Sequence, residues 1–335
     1  MTTESAPTTA LPTSGPQPTR RSSALQMISR FGLLLVLILL ATVFSILSPL
    51  VLGQQYFLDT RNLIQVALQA AINAIIAVGM TYVITTGGID LSVGSTVALG
   101  GIVVANLLKN GGTPFTALLV GIGVGILCGI VNGLLITRAN LPPFIATLGT
   151  MGIFRGLALI ISEGRPIYGL PQEFIRAFAG QIGPIPIPVI VALITAVIFG
   201  FIFVRTKVGE YTVAIGGNEE TARLSGINVQ RYKLIVYSIS GALCGLAAVV
   251  LTARMSAAEP IAGNGFELDA IAATVMGGTS LSGGEGNILG TVIGALFTSL
   301  VRNGMNIFNV QAYWQQVVIG AVIVLAVVID RARKR

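Results

Sequence analysis

Charge is what this sequence has least of. Asp, Glu, Lys and Arg make up 10% of its 335 residues, against roughly 25% in ordinary soluble domains, so it cannot cover a globule with water-compatible surface. With 53% hydrophobic residues and a mean hydropathy of +0.86, a soluble enzyme, a disordered chain and a coiled coil are excluded, and an integral membrane protein remains. Histidine is missing altogether, and no apolar run holds paired carboxylates. An intramembrane proton relay or metalloprotease therefore lacks its usual groups. The two cysteines, Cys128 and Cys244, lie in apolar runs and form no CxxC, so they read as small buried hydrophobes and neither a disulfide framework nor a metal site is expected. No Lys follows a Gly. Without that pair there is no Walker A loop to cradle phosphates, and no catalytic residue, cofactor or metal is expected in this chain.

What is present is a series of apolar runs. Residues 1–19 hold twelve Pro, Ser or Thr and one charge, a composition that buries too little to order itself. The first run, 31–52, is uncharged and long enough to cross roughly 30 Å of hydrocarbon. Further runs fall at 63–84, 93–108, 115–136, 144–161, 187–204, 234–252, 268–279, 288–301 and 315–329. The expected fold is thus an all-α integral membrane protein of about ten transmembrane helices, some short or broken. Continuous apolar runs exclude an alternating barrel. The runs hold only two charges, Arg155 and Asp269. The run at 268–279 is too short for a full span and reads as half a span or part of a re-entrant pair. With the N-terminus inside, thirteen basic residues fall in the tails and even-numbered connections and six in the odd-numbered ones, which predicts cytoplasmic N- and C-termini. The chain divides into a basic-ended disordered tail over 1–30, one membrane domain over 31–330 and a basic end over 331–335.

Glycine is patterned. Gly121, Gly125, Gly129 and Gly133 recur every fourth residue and Gly241 and Gly245 repeat the spacing, a stripe for close helix packing, with Asn132 beside it able to face a cavity. An echo at an offset of 196 residues matches GGIDLSVGS, from Gly87, to GGEGNILGT, from Gly283. Two readings stand: broken helices whose freed backbone lines a path, or plain cytoplasmic turns. On the first, Asp90, Ser92, Ser95, Ser282 and Asn287 join Asn132 near a substrate pathway. An offset of six spans implies parallel repeats, in tension with an inverted fold. Arg155 either binds a backbone carbonyl or helix end, or lines the same path.

The polar connection 205–233 carries eight charges. Asn218 suits a helix N-cap, Glu219 and Glu220 the positive end of its dipole, Arg223 the negative end and Gly226 a left-handed stop. A short capped helix is expected there. Its Ala222, Leu224 and nearby Ile227 form an apolar side that either docks on a partner or packs on the chain's own spans.

Three strings, GGIDLSVGS, AIGGNEETARLSGINV (Ala214–Val229) and MGGTSLSGGEGNILGTVIGAL (Met276–Leu296), resemble, in order, the ribose/xylose/galactose-type permeases of bacterial ATP-binding-cassette (ABC) importers. The LSGGE within the last is like the ATPase signature loop, but without Walker motifs it reads as coincidence. The resemblance implies a non-catalytic permease subunit of the bacterial inner membrane that moves a monosaccharide, a ribose-like pentose or related sugar, inward by alternating access. It implies a homodimer in membrane lipid, a dual-domain ATPase that holds ATP and Mg on the cytoplasmic side, and a periplasmic or lipid-anchored sugar-binding protein. No nucleic-acid partner is implied. The stretch from Gly209 to Gly226 looks like the family's coupling loop, with Gly209, Glu210, Ala214, Gly216, Gly217, Asn218, Glu219, Ala222 and Gly226 as its contact residues. The reading from another class is a secondary carrier or channel for a small polar solute, which would need ion-coupling carboxylates or a charge-ringed pore.

Overall fold

The computed structural model describes the backbone of residues 23–334 and the side chains from residue 32 onward, apart from several in the last helix. The membrane-length helices are α1 (Ser23–Leu52), α2 (Thr60–Thr85), α4 (Pro114–Thr137), α5 (Pro143–Ile161), α7 (Ile187–Arg205), α10 (Val229–Met255) and α12 (Ile288–Ile307). These seven are long and apolar enough to cross a membrane. Between them lie α3 (Val93–Lys109), α6 (Gln172–Ala179), α8 (Lys207–Gly217), α9 (Glu219–Leu224) and α11 (Phe266–Met276), and α13 (Ala312–Lys334) closes the chain. Among the described residues there are also four two-residue strands: β1 (Ile167–Tyr168) pairs with β4 (Ala257–Ala258), and β2 (Gln181–Ile182) with β3 (Ile185–Pro186).

Each of the ten apolar runs becomes one helix. The run at 268–279 becomes α11, whose eleven residues reach only about 17 Å at ~1.5 Å per residue, so it is a half-length helix. The run at 288–301 extends to Ile307, which brings Arg302 into α12. The tail expected over 1–30 lies outside the described residues as far as residue 22, and the backbone of 23–30 already belongs to α1. The last residue, Arg335, also lies outside them.

Local chemistry sets the helix limits. Gly87 (φ +79°) and Gly111 (φ +86°) take the left-handed conformation just beyond α2 and α3, which an L side chain adopts only at a cost. Thr113 and Thr116 form a reciprocal capping box at the start of α4, with Pro114 following the cap, a position where a missing N–H costs nothing.

The core lies around α2 and α10. From Ile75 to Ile84 every α2 side chain is fully buried, and Val236, Tyr237, Leu243 and Ala247 to Val250 of α10 are equally so. By contrast α1, α5 and α7 turn apolar surface outward: Leu39 is 64% exposed, Ile160 74% and Val197 70%. Such bands are stable only against lipid or another chain.

The bundle is built from two similar sets of four helices, α2 to α5 and α10 to α13. Packing of α10 on α4, α10 on α3, α3 on α4, α3 on α5 and α4 on α5 has its counterpart in α2 on α12, α2 on α11, α11 on α12, α11 on α13 and α12 on α13. The mates α2 and α10 run antiparallel, since Gln65 meets Arg254 at one end while Gly79 lies against Ser240 and Gly88 against Tyr237 towards the other. The two sets are therefore inverted relative to each other, the topology in which substrate sites lie between repeats. The matching strings are IDLSVGSTVALGG from Ile89 and FELDAIAATVMGG from Phe266, at an offset of 177 residues. The echo at 196 residues pairs α2 with α11, which are not mates. It arises because Gly87 (φ +79°) and Gly283 (φ +80°) sit in like turns at the same end of the bundle. That correction also removes the tension with an inverted fold.

Candidate functional site

Close packing holds α4 and α10 together through their glycine stripes. A Cβ at Gly121, Gly125 or Gly129 would collide with α10, at Val249 and at the carbonyl oxygens of Gly241 and Tyr237 in turn, and one at Gly241 or Gly245 with the carbonyls of Gly125 or Gly121. The stripe is a packing surface, as backbone approach at small residues allows.

Asn132, beside it, belongs to a closed polar cluster. Asp90 Oδ1 accepts from the Ser92 backbone N–H at 2.9 Å and from Ser92 Oγ at 2.7 Å, and Asp90 Oδ2 accepts from Ser240 Oγ at 3.2 Å. Asn132 Nδ2 donates to Ser92 Oγ at 2.7 Å, Thr150 donates to Asn132 Oδ1, and Ser95 Oγ donates to the Ser92 carbonyl. All four expected pathway residues here are at most 2% exposed. They tie the unwound segment 86–92 to α4, α5 and α10, giving partners to backbone that has left the helical ladder at depth. Asp90, Ser92, Ser95 and Asn132 thus come together in a buried brace. Arg155 stands apart: its Nη1 donates to the carbonyls of Pro260 and Ala262 at 2.8 and 2.7 Å, the backbone-binding role. Ser282 and Asn287 are exposed in the turn before α12, where Asn287 Oδ1 caps the helix by accepting from Gly290 N–H at 3.0 Å.

At that same end lie α8 and α9. Asn218 Oδ1 accepts from Thr221 N–H at 2.8 Å, Glu219 and Glu220 occupy the first turn, Arg223 the last, and Gly226 takes φ +85°. The capped helix forms as its sequence implies. Its exposed Arg223 pairs with Glu220, which holds the guanidinium above its ordinary pKa. Lys233 reaches back to Glu219 at 2.6 Å. Of the two readings of its apolar side, packing on the chain's own helices holds for Ala222 and Ile227. Ala222 is only 4% exposed and packs with Ile215 and Val229, with Ile227 partly buried beside them, so only Leu224, 80% exposed, faces outward. Ala222 seats α9 on its own chain. The helix α8, which the sequence did not single out, carries Gly209, Glu210, Ala214, Gly216 and Gly217. A Cβ at Gly209 would strike the Phe203 carbonyl, and one at Gly216 would strike the Thr85 carbonyl and stand 2.5 Å from Gly284 N. Gly217 has open space around it. The α8–α9 unit is therefore seated against both glycine-rich turns, where Gly284 N–H also donates to the Thr85 carbonyl at 2.9 Å.

The opposite end holds a polar cavity of about 220 Å³ between α2, α10, α11 and α12, lined by Gln69, Asn73, Arg254, Phe266, Asp269, Thr298, Ser299 and Arg302 among others. Asp269 Oδ1 takes Arg302 Nη2 at 2.7 Å and Nε at 3.3 Å. Asn73 Nδ2 donates to Thr298 Oγ1 at 2.8 Å, while Asn73 Oδ1 is buried without a donor. Sequence reading noted Asp269 as a charge within an apolar run but placed Arg302 in a connection. The pairing required their depth on two packed helices.

The chain matches the family described as branched-chain amino acid transport system / permease component over residues 62–327. It is 44% identical over 303 residues to the D-allose transport system permease protein AlsC of Escherichia coli K12, covering 90% of this chain and 91% of that one. To the ribose import permease protein RbsC of Bacillus subtilis 168 it is 45% identical over 309 residues, covering 92% and 94%. To the L-arabinose ABC transporter permease protein AraH of Azospirillum brasilense it is 35% identical over 318 residues, covering 94% and 91%. No solved structure matches the chain. Matched through nearly all of its membrane helices, the chain belongs to the branched-chain amino acid transport system / permease component family.

Proposed function

We propose that this chain is the membrane-spanning permease subunit of an ABC importer that carries a monosaccharide inward while a separate subunit hydrolyses ATP. The observation that carries the reading is identity of 44% and 45% over about nine-tenths of the chain to permeases named for D-allose and ribose, a likeness of sequence and not of fold alone, which would carry no function. The architecture supports it. One end of the bundle presents the capped α9 and exposed Leu224, suited to a groove on a cytoplasmic ATPase. The other end opens a polar cavity towards the side from which a binding protein delivers solute. In this arrangement ATP and Mg stay on the partner, and closure of the ATPase moves α8–α9 and, through Gly216, the two turns at Thr85 and Gly284. Ten crossings with both termini in the cytoplasm of a bacterial inner membrane agree with thirteen basic residues on one side against six on the other, Arg302 being counted at the far end of α12. The outward apolar faces of α1, α5 and α7 leave surface for lipid and for a second copy in a homodimer. Extraction in mild detergent tests the assembly: an ATPase and a soluble sugar-binding protein are expected to copurify with the chain, and recovery of the chain with no ATPase would count against the reading.

A further inference from the structure

We propose that the cavity between α2, α10, α11 and α12 is where the permease itself holds its solute, a single sugar ring gripped by Asn73, Asp269 and Arg302. This deepens the permease reading above and rests on it. The cavity's roughly 220 Å³ is the volume of about seven waters, a space scaled to one small polar molecule. Its chemistry matches a sugar. Each sugar hydroxyl both donates and accepts, so a site for one needs donors and acceptors on the same wall together with an apolar face for the ring carbons. Asp269 gives only Oδ1 to Arg302, and its other oxygen has no hydrogen-bond partner among the described residues. Arg302 orients that carboxylate and adds guanidinium donors. Asn73, fixed through its Nδ2 to Thr298, retains a buried carboxamide oxygen with no donor. Such an atom is costly while unpaired, and a ligand hydroxyl removes that cost. Phe266 lines the same space with an aromatic surface for C–H groups.

Asp269 and Arg302 balance each other, while the Arg254 guanidinium, held by the neutral Gln65 Oε1 at 3.3 Å, adds hydrogen-bond donors to the same wall. The location fits delivery. Leu251 and Arg254 lie at the C-terminal end of α10, whereas α9 packs at Val229, its other end. The cavity is therefore on the side away from the α8–α9 unit. Its walls come from α2 and its inverted mate α10, with α11 and α12, so a change in how the two repeats pack alters its shape.

The test uses the whole chain assembled with its ATPase and binding protein in liposomes, with D-ribose, D-allose and L-arabinose as probes. Cys128 and Cys244 are both buried, so Gln69→Cys provides one reactive thiol on the cavity wall. The sugar that sustains uptake is expected to slow maleimide labelling of that thiol by about twofold or more, as occupancy at or above half requires. Asn73→Leu and Thr298→Val are each expected to lower uptake about tenfold, the loss of one well-placed hydrogen bond, with the assembly recovered intact. If a variant fails to assemble, the labelling result decides alone. Labelling indifferent to every transported sugar, with uptake retained in both variants, overturns the cavity assignment and leaves the permease reading standing. Absence of ATP-dependent uptake of all three sugars by the unsubstituted chain overturns both.

Discussion

Gly216 lies so close to Thr85 that no side-chain carbon fits between the α8 backbone and the Thr85 carbonyl. The contact joins the α8–α9 unit to the end of α2 at the point where the chain unwinds towards Asp90. Gly216→Ala must push α8 away from both Thr85 and Gly284, an overpacking of about 1–3 kcal/mol. A lower thermal midpoint in detergent is expected, together with less sugar moved per ATP hydrolysed. Gly152→Ala, where the added methyl meets nothing, serves as the control and is expected to melt at or slightly above the unsubstituted protein. Equal coupling in Gly216→Ala would show that motion does not pass through this contact.

The Asn218 cap sets how firmly α9 is formed. Asn218→Ala removes the acceptor for Thr221 N–H and costs about 1 kcal/mol. Amide hydrogen exchange over 219–224 is expected to speed up about fivefold, with the spans unaffected. Asn218→Ser is expected to restore most of the protection.

Leu224 is the exposed apolar side chain of α9. It is 80% exposed, so Leu224→Asp removes nothing from the chain's own packing and is expected to lower copurification of the ATPase and ATP-driven uptake while the melting profile stays unchanged. Ala222→Trp is a different experiment, because Ala222 is packed against Ile215 and Val229 and the ring unseats α9. Glu219→Lys breaks the bridge to Lys233. With Glu219 more than half exposed, that pair contributes at most about 1 kcal/mol to folding, so a large loss of uptake in this variant would come from the ATPase interface.

Asp90 is expected to be needed for folding. It is the acceptor for three hydrogen bonds within a cluster sealed from solvent. Asp90→Ala strands the Ser92 and Ser240 donors, at about 1–3 kcal/mol for each buried group left unpaired. Asp90→Asn keeps one acceptor oxygen and is expected to melt between Ala and the unsubstituted protein. A thermal-shift series in one detergent measures the order, and a midpoint in Asp90→Ala equal to the unsubstituted value would contradict a bracing role.

Much of this molecule was legible in its sequence because apolar length and capping chemistry act locally. All ten runs became helices, and Asn218, Arg223 and Gly226 marked α9 to the residue. The region 162–186, with β1, α6 and the β2–β3 hairpin, was not anticipated, since its strands are two residues long and pair over distances of up to about ninety positions. The repeat was misregistered because turn glycines at Gly87 and Gly283 gave a louder match than the one around the mates α3 and α11, where Asp90 aligns with Glu267 and only Leu91, Gly100 and Gly101 find identical partners in Leu268, Gly277 and Gly278. The pathway residues divided for a similar reason. Buried Ser and Asn look alike in sequence whether they brace a turn, as Ser92 and Asn132 do, or line a cavity, as Asn73 and Ser299 do, and only helix packing separates them.

Uptake of radiolabelled D-ribose, D-allose and L-arabinose into liposomes holding this chain, with and without its ATPase, binding protein and internal or external ATP, is the most direct test of the importer reading. At least one sugar is expected to accumulate only when all three components and ATP on the ATPase side are present. Accumulation by this chain alone down an imposed ion gradient, unaffected by ATP, would contradict it and identify a secondary carrier.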